Sequence, residues 1–360
     1  MTTPVENINT SIPQGKAASI SQLARALGKG QKVVGYSCPC VPEELIMAAG
    51  MMPLRVPFGD QDREVLSHLD AFCRINPCEM PEQATGSLPV FSLEIPLADD
   101  DYDSVPPAAA SFKQGLKALR HQLENFSGKK IKDGDILKAI RLCREIRENL
   151  RTLFEYPQSD ASPIEWRGLF EFTQTGYMTC RPDFLAKTEK LDKELNQKIA
   201  GGIKPDARPR LMICGAALGA DDGRILDLIE EAGGRIVADC LCNGAMLLRK
   251  RAAVFGLFEN PLDTLAELYL YNVPGPCRDN MPRRINYILK TIRDFRVHGL
   301  IYYSGQGKCN PLSPQVKPIK ERIYKDLLVP TLVLGRASTE EEDNSRARLN
   351  SFIDIVGGRI

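Results

Sequence analysis

The sequence has almost no net charge and no long apolar run. Its 47 basic and 46 acidic side chains leave a formal net charge of +1, so there is no strong field to attract nucleic acid or an anionic membrane. No stretch reaches the roughly 18 consecutive apolar residues that a membrane-spanning helix needs. The first residues, MTTPVENINTSIPQGKAAS, lack the charged start and apolar middle of a signal peptide. We therefore expect a cytoplasmic protein without a nucleic-acid or membrane partner.

Two common metal-binding patterns are also missing. The chain has only three histidines and no CxxC pair, which argues against a histidine-rich metal site, a zinc ribbon and a thioredoxin-type centre. Cysteine itself is abundant, with 11 in the chain. Without a secretion signal these thiols are expected to stay reduced and not to form a disulfide framework. Thiols spread over separate segments are typical of a soft-metal or iron–sulfur site that the fold assembles.

Alternating strand and helix patterns predict an α/β protein. With 360 residues, of which 43% are hydrophobic, the chain can form two or three domains. We predict two Rossmann-like or flavodoxin-like parallel-sheet domains with right-handed crossovers and an intervening helical segment. The predicted domains are residues 1–107, an N-terminal α/β domain, 108–204, a helical domain or linker, and 205–360, a C-terminal α/β domain. Proline- and glycine-rich stretches mark both boundaries.

The stretch GYSCPCVPEELIMAAG at 35–50 is the strongest local signal. A β-branched run precedes it and a helix start follows, so Cys38 and Cys40 fall in the turn at the carboxyl end of a strand. Open α/β sheets place their ligand sites at such turns. The alternative is that both are ordinary buried cysteines, since free cysteine is among the most buried residue types.

Other cysteines occupy similar positions. Those that follow predicted strands or lie in proline-bearing turns are Cys78, Cys242, Cys277 and Cys309. If two α/β domains face each other across a cleft, these turns would converge there and their thiolates could hold a cubane cluster. By contrast, Cys143 lies on the apolar stripe of a predicted helix and Cys214 lies inside a predicted strand, so both are predicted to be small core residues.

Three carboxylates stand next to these cysteines in the sequence. Glu43, Glu44 and Glu79 could move protons beside a cluster. The alternative for all three is a helix-start or surface charge, because acidic residues favour the first turn of a helix.

Four blocks of sequence, taken together, resemble a known family. They are GYSCPCVPEEL at 35–45, LDAFCRINPCEM at 69–80, DDGRILDLIEEAGGRIVADCLCNGA at 221–245 and RRINYILKTIRDFRVHGLIYYSGQGKCNP at 283–311. In their order and spacing the chain resembles the 2-hydroxyacyl-CoA dehydratase and benzoyl-CoA reductase family of iron–sulfur proteins, also called the D component. The chain lacks a longer segment that members of this family carry between the positions matching Arg55 and Leu69, and Cys73 is not expected to be a ligand.

This resemblance implies a cofactor, a reaction and partners. One cysteine each from the first, second and fourth blocks, here Cys38, Cys78 and Cys309, would hold a [4Fe-4S] cluster in the interdomain cleft, with its fourth iron open to a small ligand. A separate ATP-dependent iron–sulfur activase would deliver one electron, and the acyl-CoA thioester would become a ketyl radical from which a poor leaving group departs. Related members reduce aromatic acyl-CoA esters. The resemblance also implies a dimer, with a homologous second subunit or a second copy of the chain.

A branch of the family carries a double-cubane [8Fe-9S] cluster. Its second set of thiolates would be Cys40, Cys242 and Cys277 here. Two alternatives to an acyl-CoA dehydratase or reductase subunit therefore stand: a homodimeric double-cubane reductase of small molecules, and a non-catalytic subunit that only holds a cluster.

Overall fold

The computed structural model describes residues 30–56, 63–76, 86–96, 105–215, 217–219, 222–248, 260–270, 281–304, 316–335 and 342–358. Within these residues the chain forms two four-stranded parallel sheets with helices between them. The predicted α/β class is therefore confirmed. Of the predicted site residues, Cys78, Glu79, Cys277 and Cys309 lie outside the described residues.

The N-terminal sheet contains strands β1 Val33–Tyr36, β2 Met52–Arg55, β3 Ala71–Asn76 and β4 Val90–Glu94. Their spatial order is β2-β1-β3-β4, and every pair is parallel. The chain passes from β1 to β2 on one side and then to β3 on the other, which makes the carboxyl end of β1 a topological switch point. Parallel α/β sheets bind their ligands at such points.

Short helices follow the first two strands, and longer ones form the middle of the chain. Helices α1 Glu43–Ala48 and α2 Arg63–Ser67 belong to the N-terminal sheet. The middle segment consists of α3 Val105–Ser127, α4 Asp133–Leu153, α5 Trp166–Gly176 and α6 Arg181–Ala200. Cys143 is 1% exposed on the buried stripe of α4, which confirms its predicted core position.

The C-terminal sheet repeats the same topology. Its strands are β5 Arg210–Gly215, β6 Arg235–Cys240, β7 Gly299–Ser304 and β8 Thr331–Gly335, in the order β6-β5-β7-β8 and all parallel. Its helices are α7 Gly223–Glu231, α9 Met281–Asp294, α10 Val316–Leu327 and α11 Glu342–Gly357. Strands β5 to β7 are buried along their whole length, as expected of parallel strands covered on both faces. Cys214 is fully buried in β5, as predicted.

One helix from the second half of the chain packs against the first half, which the sequence did not indicate. Helix α8, Pro261–Leu270, lies within the predicted C-terminal domain, yet its apolar side chains belong to the core of the N-terminal sheet. Leu265 and Tyr269 share that core with Phe112 and Leu116 of α3. The boundaries at 107 and 204 stay a prediction, but the chain clearly returns to its first half after the second sheet has begun. None of the helices in the described ranges is long and apolar enough to cross a bilayer.

Candidate functional site

The turn after β1 is tight and largely buried. The backbone N–H of Val41 donates to the carbonyl of Cys38 (3.0 Å), and that of Glu43 donates to Val41 (2.9 Å), so α1 starts directly after the second thiol. Cys38 is 8% exposed and Cys40 is half-buried. Neither thiol is in a disulfide. Cys38 and Cys40, the two predicted ligands of the first sequence block, therefore lie at the switch point of the N-terminal sheet.

The turn after β6 is wound around a buried carboxylate. Asp239, 1% exposed, accepts backbone N–H groups from Leu241 (3.2 Å) and Ala245 (3.0 Å) and the indole N–H of Trp166 (2.8 Å). Gly244 has no room for a side chain, because a Cβ there would lie 2.0 Å from Asp239 Oδ1. This wrapping fixes the path of the backbone on either side of Cys242, whose side chain is half-buried.

Both turns line one small cavity. Pro39, between the two thiols of the first turn, faces the same space as Asn243 and Gly244, which follow Cys242. The cavity has a volume of about 30 Å³, which is enough for an ordered water molecule. The carboxyl ends of the two sheets therefore meet in one interdomain cleft.

A chain of hydrogen bonds holds the two turns at a fixed separation. The Arg55 guanidinium, at the end of β2, donates to the side-chain carbonyl of Gln174 (3.1 Å). The amide N–H of Gln174 donates to the Asn243 backbone carbonyl (2.9 Å). The Asn243 side chain in turn bonds the backbone of Leu218, donating to its carbonyl (2.8 Å) and accepting its N–H (3.2 Å). Gln174 of α5 thus links the N-terminal sheet to two loops of the C-terminal sheet.

Glu43 lies in a buried ion pair. It is 4% exposed and accepts hydrogen bonds from Arg181 Nε (2.9 Å) and Nη2 (2.5 Å) and from the Tyr36 hydroxyl. Burial alone would raise its pKa, but the charge and hydrogen bonds of Arg181, helped by Tyr36, outweigh burial and lower the pKa to about 2. Glu43 is therefore a carboxylate at neutral pH and carries no proton to donate.

Glu44 faces other helices. It is fully buried, and it accepts hydrogen bonds from Arg147 Nη2 of α4 (2.7 Å) and from the Tyr269 hydroxyl of α8 (2.6 Å). Burial would lower the pKa of Arg147, but the Glu44 carboxylate outweighs it and raises that pKa. A proton-moving role for Glu43 and Glu44 stays a prediction. In the structure, both glutamates anchor α1, the helix that follows the cysteine turn, to neighbouring helices.

The thiols of the two turns suit a soft metal, though the described residues do not complete a site. Cys38, Cys40 and Cys242 form no disulfide and belong to the two turns whose neighbouring residues line the cavity, and thiolate is the ligand that iron–sulfur clusters require. Among the described residues, no group of three or more cysteine, histidine or carboxylate side chains is close enough to hold one metal ion. The convergence of Cys38 with Cys78 and Cys309 stays a prediction.

Cys73, which was not expected to be a ligand, is a core residue. It is fully buried in β3, and burial raises the pKa of its thiol to about 12. It is therefore a protonated thiol at neutral pH.

Sequence reasoning missed three buried arginines in and next to this cleft. Arg55, Arg147 and Arg181 are 6%, 7% and 1% exposed. Two carried a local signal: Arg55 is the only charge in the apolar run MMPLRVP, and Arg147 follows Cys143 by one helical turn on the buried stripe of α4. Arg181 had none, because its partner Glu43 is 138 positions away in the sequence.

Comparison with known proteins gives consistent matches over most of the chain. The model of the family described as 2-hydroxyglutaryl-CoA dehydratase, D-component, matches residues 72–356. The beta subunit of (R)-phenyllactyl-CoA dehydratase from Clostridium sporogenes is 24% identical, over 91% of this chain and 92% of that protein. The putative dehydratase subunit YjiM of Escherichia coli is 23% identical over the same shares. One of the subunits of benzoyl-CoA reductase from Thauera aromatica is 23% identical, over 78% of this chain and 79% of its own length.

Proposed function

Because the chain belongs to the 2-hydroxyglutaryl-CoA dehydratase D-component family, we propose that it is the iron–sulfur subunit of a radical-type 2-hydroxyacyl-CoA dehydratase or aryl-CoA reductase. The enzyme class itself follows from the family and from relatives named as dehydratase and reductase subunits. The cofactor, the electron donor and the substrate are the proposed parts. They are a [4Fe-4S] cluster, an ATP-dependent iron–sulfur activase and an acyl-CoA thioester.

The proposed ligands of the cluster are Cys38, Cys78 and Cys309. The observation that carries this proposal is the position of the first of them: the Cys38–Cys40 turn ends the central strand at the switch point of its sheet and shares a cavity with the Cys242 turn of the other sheet. When bound, such a cluster supplies single electrons at low potential.

The residues around the cleft hold the first cysteine turn in place. Helix α1 has only six residues, too few to be stable alone, and its first two carboxylates tie it to three other helices. The cleft is lined by the aromatic rings of Tyr36, Tyr177 and Tyr269, all less than 9% exposed. These contacts preorganise the first cysteine turn before any ligand binds.

The double-cubane branch remains a second candidate. Cys40 and Cys242 are two further thiols in the turns whose neighbouring residues line the cavity, beyond the three a single cubane needs. With Cys277 they would form the second ligand set of an [8Fe-9S] cluster in a homodimeric reductase of small molecules. For a single-cubane enzyme the proposed partner is a homologous second subunit, and for a double-cubane reductase it is a second copy of the chain. A cytoplasmic location stays a prediction.

Anaerobic reconstitution followed by iron and sulfide analysis tests the proposal. About four irons per chain would indicate a single cubane, and about eight a double one. Cys38→Ala and Cys78→Ala are expected to remove most of the brown absorption, while Cys143→Ala, in the core of α4, retains it. Equal absorption in all three variants would contradict the ligand assignment, and a reconstituted wild-type protein without iron would contradict the cofactor. Binding of an acyl-CoA to the loaded protein then distinguishes an enzyme subunit from one that only holds a cluster.

A further inference from the structure

A second and much larger cavity, the β6 cavity, lies beside the outermost strand β6 of the C-terminal sheet. It extends between the carboxyl end of α4, the strand β6 and the last turns of α9. Its volume of about 370 Å³ falls within the roughly 300–1,000 Å³ that is typical of small-molecule sites. The turn after β6 contributes to both cavities: Asn243 and Gly244 line the interdomain cavity, Asp239 and Ala245 line the β6 cavity, and Leu248 lines both. The β6 cavity is therefore a separate space next to the interdomain cleft.

The interior of the β6 cavity is mostly apolar. The aromatic rings of Phe154, Tyr287 and Phe295, all less than 9% exposed, line it together with Leu248. Thr291 adds one polar group: it is 1% exposed, and its hydroxyl has no hydrogen-bond partner within the described ranges. An apolar ligand group that displaces water from this interior gains free energy by the hydrophobic effect.

Charged side chains of both signs surround the mouth of the cavity. Arg151 and Glu155 stand on the α4 side, four positions apart, and Lys290 and Asp294 stand on the α9 side. Lys290 and Asp294 bond each other (2.8 Å). On the α4 side, Arg151 Nε donates to the Leu248 carbonyl (3.1 Å), and in this part of the described chain no direct ion pair joins Arg151 to Glu155. The α4 side therefore presents an oriented cation and an anion that do not bond each other.

These charges discriminate between classes of ligand. Two cations and two anions at the mouth cancel, and the buried Asp239 adds negative charge behind them, so a nucleotide or another polyanion meets no attractive field. A simple anion at the α4 side would be repelled by Glu155, and a simple cation by Arg151. A zwitterion can pair both of its charges there, while its apolar part is buried against the aromatic rings.

We propose that the β6 cavity binds a free α-amino acid with a large apolar side chain, aromatic or branched. Its carboxylate pairs with the Arg151 guanidinium, its ammonium group pairs with Glu155, and its side chain lies against Phe154 and Phe295. No bond is made or broken in this binding. None of the proposed cluster ligands among the described residues lines the cavity, so the inference does not rest on the proposed function.

Isothermal titration calorimetry of the full-length chain tests the ligand class. L-phenylalanine and L-leucine are the probes, and both are expected to bind. Two comparison compounds each lack one charge: 3-phenylpropanoate has no ammonium group, and 2-phenylethylamine has no carboxylate. Each is expected to bind at least about tenfold more weakly than L-phenylalanine, because each loses a charge-assisted hydrogen bond.

Two variants assign the charges to residues. Arg151→Gln is expected to weaken L-phenylalanine and 3-phenylpropanoate binding by at least about tenfold and to leave 2-phenylethylamine unaffected. Glu155→Gln is expected to weaken L-phenylalanine and 2-phenylethylamine and to leave 3-phenylpropanoate unaffected. Arg144→Gln is the matched control, because Arg144 lies on the same helix, pairs with Glu148 (2.7 Å) and does not line the cavity. This control should retain the wild-type affinity.

Several results would overturn the inference. They are a wild-type chain that binds neither amino acid, 3-phenylpropanoate or 2-phenylethylamine binding as tightly as L-phenylalanine, and an unchanged affinity for L-phenylalanine in Glu155→Gln. Glu155 is exposed, so that variant provides the test if Arg151→Gln fails to fold. A chain that binds L-phenylalanine with the expected effects of both variants but takes up no iron on reconstitution would support the inference and refute the proposed function.

Discussion

The Glu43–Arg181 pair is expected to contribute several kilocalories per mole to folding, in a manner that depends on pH. The change that tests this is Glu43→Gln, which keeps the shape of the side chain and removes its charge. In the folded protein the pKa of Glu43 is about 2, against an ordinary value of 4.5. At about 1.4 kcal/mol per pKa unit, this difference corresponds to about 3 kcal/mol of stability.

The sign of the pH dependence follows from the lowered pKa. A carboxylate whose pKa is depressed by folding contributes its full stabilisation above the unfolded value of 4.5 and loses it as the pH falls through the folded value. The free energy of unfolding of the wild-type protein should therefore exceed that of Glu43→Gln by about 3 kcal/mol at neutral pH, and this gap should narrow between 4.5 and about 2. Removing one partner of a buried pair typically costs about 3–5 kcal/mol, which agrees in magnitude.

Urea denaturation at a series of pH values provides the assay. Trp166, the only tryptophan, is 1% exposed between the middle helices and the C-terminal sheet, so its fluorescence reports unfolding. Because wild type and variant are compared at each pH, the titration of other groups largely cancels. A gap below about 1 kcal/mol at neutral pH, or one that does not narrow on acidification, would refute the assignment of Glu43 to a buried ion pair.

The remaining predictions concern the two turns and α8. Gly244→Ala should destabilise the protein by about 2–3 kcal/mol and lower its iron content after reconstitution, because the new Cβ would lie 2.0 Å from Asp239; equal iron content would contradict this. Tyr269→Phe removes the hydroxyl that bonds the second glutamate of α1 (2.6 Å) and should cost about 1–3 kcal/mol in urea denaturation. In the metal-free native protein, maleimide followed by peptide mapping should label the half-buried Cys40 and not the fully buried Cys73; the reverse pattern would contradict their placement.

The strands could be predicted because their signal is local. The run LMICG within 210–215 is apolar, and Cys214 indeed lies inside a strand, β5 at Arg210–Gly215. The same holds for the helical stripe through Cys143 in α4. In both cases each residue is buried by the nearest layer of the fold. The periodicity of the sequence is therefore enough to predict the type of element.

Long-range partners could not be predicted in the same way. Helix α8 follows residues of the C-terminal sheet but packs on α3 and the N-terminal core, and no pattern within 261–270 specifies which core it joins. The Tyr269 hydroxyl and the Glu44 carboxylate are 225 positions apart. Buried polar pairs depend on geometry that only the complete fold defines, and a charged residue in the sequence is by default a surface residue.

Two consecutive glutamates explain how a short helix can hold a ligand turn. Successive side chains on a helix point about 100° apart, since 3.6 residues complete a turn, so Glu43 and Glu44 must face different neighbours. The first reaches Arg181 of α6, and the second reaches Arg147 of α4 and Tyr269 of α8. The first turn of α1 is thereby held from different sides, next to the two thiols it follows. The burial of both glutamates next to the cysteines is therefore informative even without a role in proton transfer.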